Sequence, residues 1–248
     1  MPLSTPLNMV QLHPDPAALL RFLAGQGQHH AADSDLGYGV HAWLAATFGV
    51  LAPRPFRLHL DAGHRKPPKL LAYSPHGREA LLDQARTFAE PAARAVCPLD
   101  EGLAVAALPG PEHWQPGRRL GFEILACPVT RRARTGVERD CFLREADRAG
   151  PDAGLDRAAV YCDWLAARIE EAAAVETCDL AAFHLVQQFR QGHQAGRHGR
   201  GRAHLVRPAA LLRGVLRIVD GAAFHGQLAR GVGRHGAFGY GMLLVRPL

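Results

Sequence analysis

The sequence predicts an α+β protein made of two consecutive units with the same order of elements. Strand-like and helix-like patterns follow one another as β-α-β-β-α-β across residues 7–109, and again across 118–248. Between them lies "GPEHWQPG" (110–117), a Gly/Pro-rich stretch typical of a linker. This order is that of ferredoxin-like folds, which RNA-recognition domains share. We therefore predict two tandem ferredoxin-like (RRM-like) domains, 1–109 and 118–248, joined by the linker 110–117.

The first unit contains the clearest helix pattern. The stretch "DSDLGYGVHAWLAATFG" (33–49) has capping residues at its start and a glycine at its end, Gly49. Apolar residues recur at intervals of four, which puts them on one face of a helix. The other predicted elements are a strand at 7–12, a helix around "DPAALLRFLAGQG", strands at 55–61 and 69–75, a helix at 77–90 and a short buried strand at 102–109.

The second unit shows the same order with longer strands. No element is predicted for the polar, charged stretch 130–156. The predicted elements are a strand at 118–129, a helix at 155–173, extended segments at 178–191 and 203–220 joined by "GHQAGRHGRGR", a helix at 221–231 and a last strand at 241–246.

The charge of the chain is distributed unevenly. The formal net charge is +6, but from Leu180 to Leu248 ten arginines face a single carboxylate, Asp220. Such a basic region predicts a surface that binds a polyanion. No apolar run approaches the roughly 18 residues of a membrane span, and the first residues lack the pattern of a signal peptide. We therefore predict a cytoplasmic protein without membrane contact.

Five cysteines are scattered along the chain without a CxxC pair. Their odd number and spacing argue against a disulfide framework and against structural zinc, and favour buried thiols in a reducing compartment. The sequence also has no cluster of Asp and Glu that would indicate a two-metal nuclease site. We expect neither a metal nor another cofactor.

The chain ends on "GVGRHGAFGYGMLLVRPL" (231–248), a glycine-rich loop followed by a strand. It lacks the Gly-Lys-Ser/Thr of a Walker loop and precedes a strand instead of opening a helix, which excludes a dinucleotide fingerprint. A flexible turn is the simpler interpretation, but the basic surroundings favour phosphate binding by backbone N–H groups. The predicted phosphate contacts are Gly231, Gly233, Gly236, Gly239 and Gly241, with Arg230, Arg234 and His235.

This loop closely resembles the C-terminal glycine-rich loop of CRISPR repeat-RNA endoribonucleases, in particular the CasE type of type I-E systems. "YGVHAWLAATFG" is similar to the first helix of that family, "FEILACPVTRR" to the strand that opens its second domain, and "YCDWLAARIEEAAAVE" to its second-domain helix. The four stretches follow the order of the family. Two features depart from it: residues 12–33 are inserted before the helix, and the loop has no lysine. A relative serving a type IV or variant type I system is therefore the alternative.

The resemblance implies a metal-independent endoribonuclease that cleaves CRISPR repeat transcripts at the base of a stem-loop. In that chemistry the 2′-OH attacks the adjacent phosphorus, leaving a cyclic phosphate and a 5′-OH end. The resemblance places His41 as general acid or base, and Tyr38 as a residue that positions the scissile phosphate or assists proton transfer; histidine suits proton transfer near neutral pH. His225 and His235 are the alternatives, as is a set of arginines. The protein is expected to stay bound to the crRNA as a subunit of a CRISPR effector complex.

Further arginines are predicted to contact the RNA stem. Arg190, Arg197, Arg200 and Arg202 lie at or near the tip of the predicted hairpin, and Arg131, Arg132 and Arg134 follow the first strand of the second unit. Two other functions remain open at this point. One is a subunit that binds and caps the repeat stem-loop without cleaving it, and the other is an unrelated double-ferredoxin protein that binds DNA or a small anion.

Overall fold

The computed structural model describes residues 5–26, 36–60, 67–131, 136–150, 153–190 and 203–248, except for the side chains of 187–190 and 203–205. In chain order, the first unit contains β1 (Asn8–Leu12), α1 (Pro16–Gly25), α2 (Leu36–Phe48), β2 (Phe56–His59), β3 (Lys69–Ser74), α3 (Arg78–Phe88), α4 (Pro91–Arg94), α5 (Leu99–Gly102) and β4 (Leu103–Ala107). Within the described residues these strands form one antiparallel sheet in the order β2-β3-β1-β4. The predicted β-α-β-β-α-β order of this unit is confirmed.

The second unit repeats this arrangement and adds an insertion. Its elements are β5 (Arg119–Ala126), β6 (Val129–Arg131), β7 (Glu138–Asp140), α6 (Cys141–Ala149), α7 (Arg157–Ile169), β8 (Ala173–Arg190), β9 (Ala203–Ile218), α8 (Gly221–Arg230) and β10 (Leu243–Arg246). In the described part of the chain, β10-β5-β9-β8 is an antiparallel sheet, and β6 pairs with β7. The prediction of an α+β protein with two tandem ferredoxin-like folds is confirmed.

Several predicted boundaries need correction. The stretch 130–156 is not without structure, because β7 and α6 lie in it; Asp140 caps α6 by accepting a hydrogen bond from the N–H of Phe142. The helix predicted to reach 173 ends at Ile169, since the chain from Ala173 onward pairs with β9. The strand β4 was expected to be buried, but only Leu103 is, because β4 pairs with β1 alone among the described strands.

Two apolar clusters hold the helices on the sheets. In the first unit, α1, α2 and α3 bury Leu23, Trp43 and Leu81 against β1 and β3. The second cluster joins the second sheet to α7 and α8, and it also includes Leu7 and Tyr73 of the first unit. The Tyr73 hydroxyl donates a 2.8 Å hydrogen bond to the carbonyl oxygen of Leu243 in β10. The two units therefore share buried contacts.

The predicted linker 110–117 is packed against the second unit. Trp114 is buried, its indole N–H donates to the carbonyl oxygen of Pro109 at 3.1 Å, and its ring meets Phe224 edge-on at 5.3 Å. The domain bounds themselves stay a prediction.

The cysteines divide into two groups. Cys162 of α7 and Cys178 of β8 form a disulfide, which corrects the expectation that these two would be free thiols. Packing of α7 on β8 brings their Cα atoms within 5.8 Å, a proximity that their separation of 16 residues does not reveal. Cys97, Cys127 and Cys141 are buried free thiols, as predicted. None of the described helices is both long and apolar enough to cross a membrane.

Candidate active site and RNA-binding loop

Helix α2 presents Tyr38 and His41 on one side because they are three residues apart. Their ring centroids are 6.2 Å apart, and both side chains are half-buried. The other side of α2 is packed into the core, where Trp43 is fully buried and donates its indole N–H to the carbonyl oxygen of Ala93 at 3.0 Å. The predicted pair therefore lies on a helix that is fixed from behind.

Helix α1, formed by the inserted residues, supports α2 from the side. A Cβ on Gly39 would lie 2.6 Å from Cδ1 of Leu23, a distance too short for ordinary packing. Leu23 is buried at this contact. The glycine between Tyr38 and Val40 thus lets α1 approach the helix that carries the candidate catalytic residues.

The glycine loop, residues 231–241, lies against this helix. The ring centroid of Phe238 is 5.4 Å from that of Tyr38 and 5.9 Å from that of His235. The structure therefore brings the predicted loop and the predicted Tyr38/His41 helix together, which the spacing of some 200 residues in the sequence does not indicate.

Most of the loop glycines face protein. Gly231, Gly233, Gly239 and Gly241 have positive φ. A Cβ on each would meet, respectively, the carbonyl oxygen of Gly241 together with Pro55, the ring of Trp164, the ring of Phe56, and the carbonyl oxygen of Val232. At Gly241 a Cβ would overlap that oxygen, so no other residue fits there. A Cβ on Gly236 would meet nothing within 4 Å. Of the five predicted glycines, Gly236 is the one with open space beside it.

Hydrogen bonds close the two ends of the loop, whereas within the described residues the backbone N–H groups at its tip donate none. The N–H of Val232 donates to Gly241 and the N–H of Gly241 donates to Leu125, both at 2.8 Å. The N–H groups of Phe238 and Gly239 are used within a short 3₁₀ turn. Backbone donors that a phosphate could use are therefore those of residues 233–237.

The loop is anchored by a carboxylate that was not among the residues predicted from the sequence. Glu138 of β7, with a side chain only 10% exposed, contacts the Nε atom of Arg234 at 2.6 Å, Nε2 of His235 at 2.7 Å and Arg207 at 3.0 Å. Burial alone would raise the pKa of Glu138, but His235, Arg234 and Arg207 together lower it. Arg234 and His235, predicted to contact RNA, are therefore also bound to protein.

The local environment lowers the pKa of each candidate histidine. Burial, and after it the positive charge of Arg54, lowers the pKa of His41. Burial also lowers the pKa of His235, against the opposing effect of Glu138, and that of His225, against Glu112. Imidazoles with lowered pKa values are neutral at pH 7 and can accept a proton.

The other predicted arginines are only partly described. Arg131 is exposed at the end of β6 and donates to the carbonyl oxygen of Gly136 at 3.2 Å. Arg190 ends β8, but its side chain lies outside the description. Arg132, Arg134, Arg197, Arg200 and Arg202 lie outside the described residues. Among the described residues there is no group of three or more His, Cys, Asp or Glu placed to hold a metal; that cleavage needs no metal stays a prediction.

The profile of the family described as "CRISPR associated protein" matches residues 9–247. The chain belongs to this family. The resemblance noted from the glycine loop and the helix of Tyr38 and His41 is confirmed by this match. No curated protein matches the sequence.

Solved structures of CRISPR endoribonucleases have the same fold. A CRISPR endoribonuclease Cse3 bound to a 19-nucleotide RNA is 22% identical, with a TM-score of 0.66 over 98% of this chain and 100% of that one. Thermus thermophilus Cse3, bound to an RNA that represents a pre-cleavage complex, is 21% identical with a TM-score of 0.61, covering 98% and 100%. Cas6e from Escherichia coli K-12 is 17% identical with a TM-score of 0.53, also covering 98% and 100%. At these identities the likeness establishes the fold and not the activity.

Proposed function

We propose that this protein is a metal-independent endoribonuclease that cleaves CRISPR repeat transcripts at the base of a stem-loop to give mature crRNA. The observation that carries the proposal is the contact between the glycine loop and α2, where Phe238 lies 5.4 Å from Tyr38 and His41 follows three residues on. We assign phosphate binding to the N–H groups at the tip of this loop and proton acceptance to His41. Membership of the CRISPR-associated family, and the names of the similar structures, support RNA cleavage as the activity.

His41 acts as the general base in this proposal. Its lowered pKa leaves the imidazole neutral near pH 7, so it can take the proton of the 2′-OH. The 2′-oxygen then bonds to phosphorus and the bond from phosphorus to the 5′-oxygen breaks. The 5′-oxygen takes a proton from solvent, which yields a cyclic phosphate and a 5′-OH end. Tyr38 positions the scissile phosphate from the adjacent turn of the helix.

Backbone donors and arginines stabilise the charge on phosphorus. The N–H groups of residues 233–237, including that of Gly236, are available at the tip of the loop. Fixed N–H donors of this kind stabilise an oxyanion that develops in the transition state. Arg54 lies close enough to His41 to lower its pKa and adds a further positive charge near the proposed general base.

The RNA and the effector complex are the proposed partners. The basic β8-β9 hairpin would bind the stem, through Arg190 and the arginines between the two strands, and Arg131 would add a phosphate contact. A structure of a CRISPR RNA-guided surveillance complex contains a chain that is 17% identical to this one, with a TM-score of 0.56. We propose that this protein keeps its crRNA product and enters such a complex in the cytoplasm.

A subunit that caps the stem-loop without cleaving it is the second candidate. It is favoured by the three contacts of Glu138, because this carboxylate neutralises part of the charge of Arg207 and Arg234 and also holds the ring of His235. A loop neutralised in this way can still hold a phosphate through its N–H groups while offering less stabilisation to a transition state.

Cleavage of the cognate repeat RNA in EDTA separates these functions. We expect a single cut 3′ of the hairpin, with a cyclic phosphate on the upstream product detected by mass spectrometry. Tight binding without a cut would support the capping subunit. A cut that requires added Mg²⁺ would overturn the metal-independent mechanism, and equal affinity for duplex DNA would overturn RNA recognition.

A further inference from the structure

A cleft of about 680 Å³ lies between the two units, beside the candidate active site. Its walls come from the chain before β1, the segment after α2, the end of β3 and helix α8. The volume is within the range of small-molecule and nucleotide pockets. It is built from parts of both units, as many ligand sites are.

The cleft contains two arginines that are not neutralised. Within the described residues, the guanidinium groups of Arg54 and Arg230 form no ion pair and no side-chain hydrogen bond, and both residues are exposed. Arginines of the second sheet differ from them: Arg213 is paired with Glu123 and Arg217 with Glu176. Two unpaired cations in one concave site indicate an anionic ligand.

Two histidines add hydrogen-bonding groups to the same walls. His225 is 7% exposed, and in the described part of the chain its ring has no hydrogen-bond partner. His76, two residues after the end of β3, also lines the cleft. The carboxylate of Glu112 raises the pKa of His225, against the larger effect of burial. Oε1 of Glu112 itself lies 2.9 Å from Nδ1 of His113. Burial holds His225 neutral, so it offers a hydrogen bond and not a charge.

The apolar part of the cleft suits a flat, uncharged ring. Val50 is 90% exposed and lies there with Leu51, on the short turn that follows α2. A positively charged groove that follows the backbone is one part of the sites where proteins hold single-stranded nucleic acid. Here Val50 and Leu51 supply an apolar contact for a base beside the two arginines.

Arg54 and Arg230 connect the cleft to the candidate active site. Arg54 affects the pKa of His41, and Arg230 directly precedes Gly231, where a Cβ would meet the carbonyl oxygen of Gly241 and the ring of Pro55. None of the described residues that line the cleft belongs to β8 or β9, so a strand bound there would lie on a surface separate from the hairpin that is proposed to bind the stem.

We propose that this cleft binds the unpaired nucleotides 3′ of the cut, with Arg54 and Arg230 on their phosphates. The proposal rests on the proposed function, which assigns the stem 5′ of the cut. The cleft would then be a second RNA-binding site, which contacts the backbone and an unstacked base. It would bind the strand that becomes the 5′-OH product.

The test compares two RNAs that differ only beyond the cut. Both carry the repeat stem-loop with a 2′-deoxy nucleotide at the cleavage site, which prevents the reaction; the short RNA ends one nucleotide past the cut and the long RNA continues for several more. Two phosphate contacts to a single strand steepen the salt dependence of log Kd by about 1.4. Raising the salt from about 50 to about 200 mM should therefore weaken binding of the long RNA about sevenfold more than that of the short RNA.

The salt dependence of log Kd should differ between the long and the short RNA, and replacing one cleft arginine should halve that difference. Arg230→Gln is expected to reduce the sevenfold factor to about threefold, and Arg54→Gln serves as the second variant if the first does not fold. Arg86→Gln is the matched control, since Arg86 is exposed on α3 and paired with Asp83 and Asp100; it should leave the factor at about sevenfold. Melting temperatures establish that each variant is folded.

Two different results would overturn the cleft as an RNA site and the proposed endoribonuclease activity. Equal slopes for the two RNAs in the wild-type protein, or an unchanged difference in Arg230→Gln and Arg54→Gln, would overturn the cleft as an RNA site. Failure to cleave the unmodified repeat RNA would overturn the proposed function instead, and is measured in a separate reaction.

Discussion

Helix α2 and the glycine loop meet at Tyr38, yet different forces hold them in place. The helix is fixed by apolar burial, with Trp43 and Phe48 fully buried behind Tyr38 and His41. The loop is fixed by charge, through Glu138, and by glycines that allow close contact with the protein. Apolar burial changes little with salt, whereas partly exposed ion pairs weaken in it. The contacts that hold α2 should therefore change little with salt, whereas those that hold the loop should weaken as the salt concentration rises.

The largest effect is expected from the loss of His41, the proposed general base, on the side that is held by apolar burial. His41→Ala should reduce the single-turnover cleavage rate by about 10²–10⁴-fold. RNA affinity should stay close to that of the wild type, because α2 keeps its packing. His13→Ala, an exposed histidine that follows β1, is the control and should cleave normally. An unchanged rate in His41→Ala would remove this residue from the mechanism and favour His235 or an arginine set.

A glycine substitution in the loop should remove the close packing that holds the loop against the protein. Gly241→Ala places a Cβ against the carbonyl oxygen of Val232 at φ +87°, and strain of this kind costs about 3 kcal/mol. The matched variant is Gly236→Ala, where a Cβ meets open space and φ is not positive. Chemical unfolding should show a large loss of stability in the first variant and none in the second. Equal stability of both would show that the loop is not held by close packing.

Removing the carboxylate should loosen the loop by a smaller amount. Glu138→Gln keeps the shape of the side chain but loses its charge, and should lower the free energy of unfolding by about 1–2 kcal/mol at pH 7. The wild-type advantage should shrink at high salt, because Arg234 is 44% exposed. Glu145→Gln, at a surface ion pair with Arg144 and Arg148, is the control and should melt as the wild type does. A salt-independent difference would contradict a loop held by charge.

The smallest expected effect is a shift of the pH profile. A general base must be unprotonated, so the cleavage rate should rise with pH until the lowered pKa of His41 is passed, and then level off. Arg54→Gln removes a positive charge that lowers this pKa, so the rising limb should move to higher pH by roughly half a unit. A rate that instead falls as the pH rises through this range would make His41 the general acid.

Local patterns in the sequence were sufficient to predict the fold and the helix of the site. Apolar residues four apart identified α2, and they are the residues that pack on the first sheet. The repeated order of strands and helices predicted both sheets. These features succeed because each depends on neighbours within a few turns of the chain.

The anchor of the loop could not be predicted in this way. Glu138 acts on Arg234 and His235, which lie 96 and 97 residues away, and its own strand is three residues long. Only the return of the chain from α8 to β10 brings them together. Similarly, the excess of arginines predicted a basic surface, but the sequence does not tell which of them meet carboxylates. Arg213 does, whereas Arg54 forms no ion pair with any residue that the structure describes.

The hydrogen bond from Tyr73 to Leu243 makes the two halves poor candidates for separate expression. A fragment ending within 110–117 would present Leu7 and Tyr73 to water, and its counterpart would lack their side chains in its core. Mixing the two fragments would bury these groups again and rejoin Tyr38 with the glycine loop. The proposed cleavage of RNA, measured on the mixed fragments, would then report whether the two pieces have reassociated.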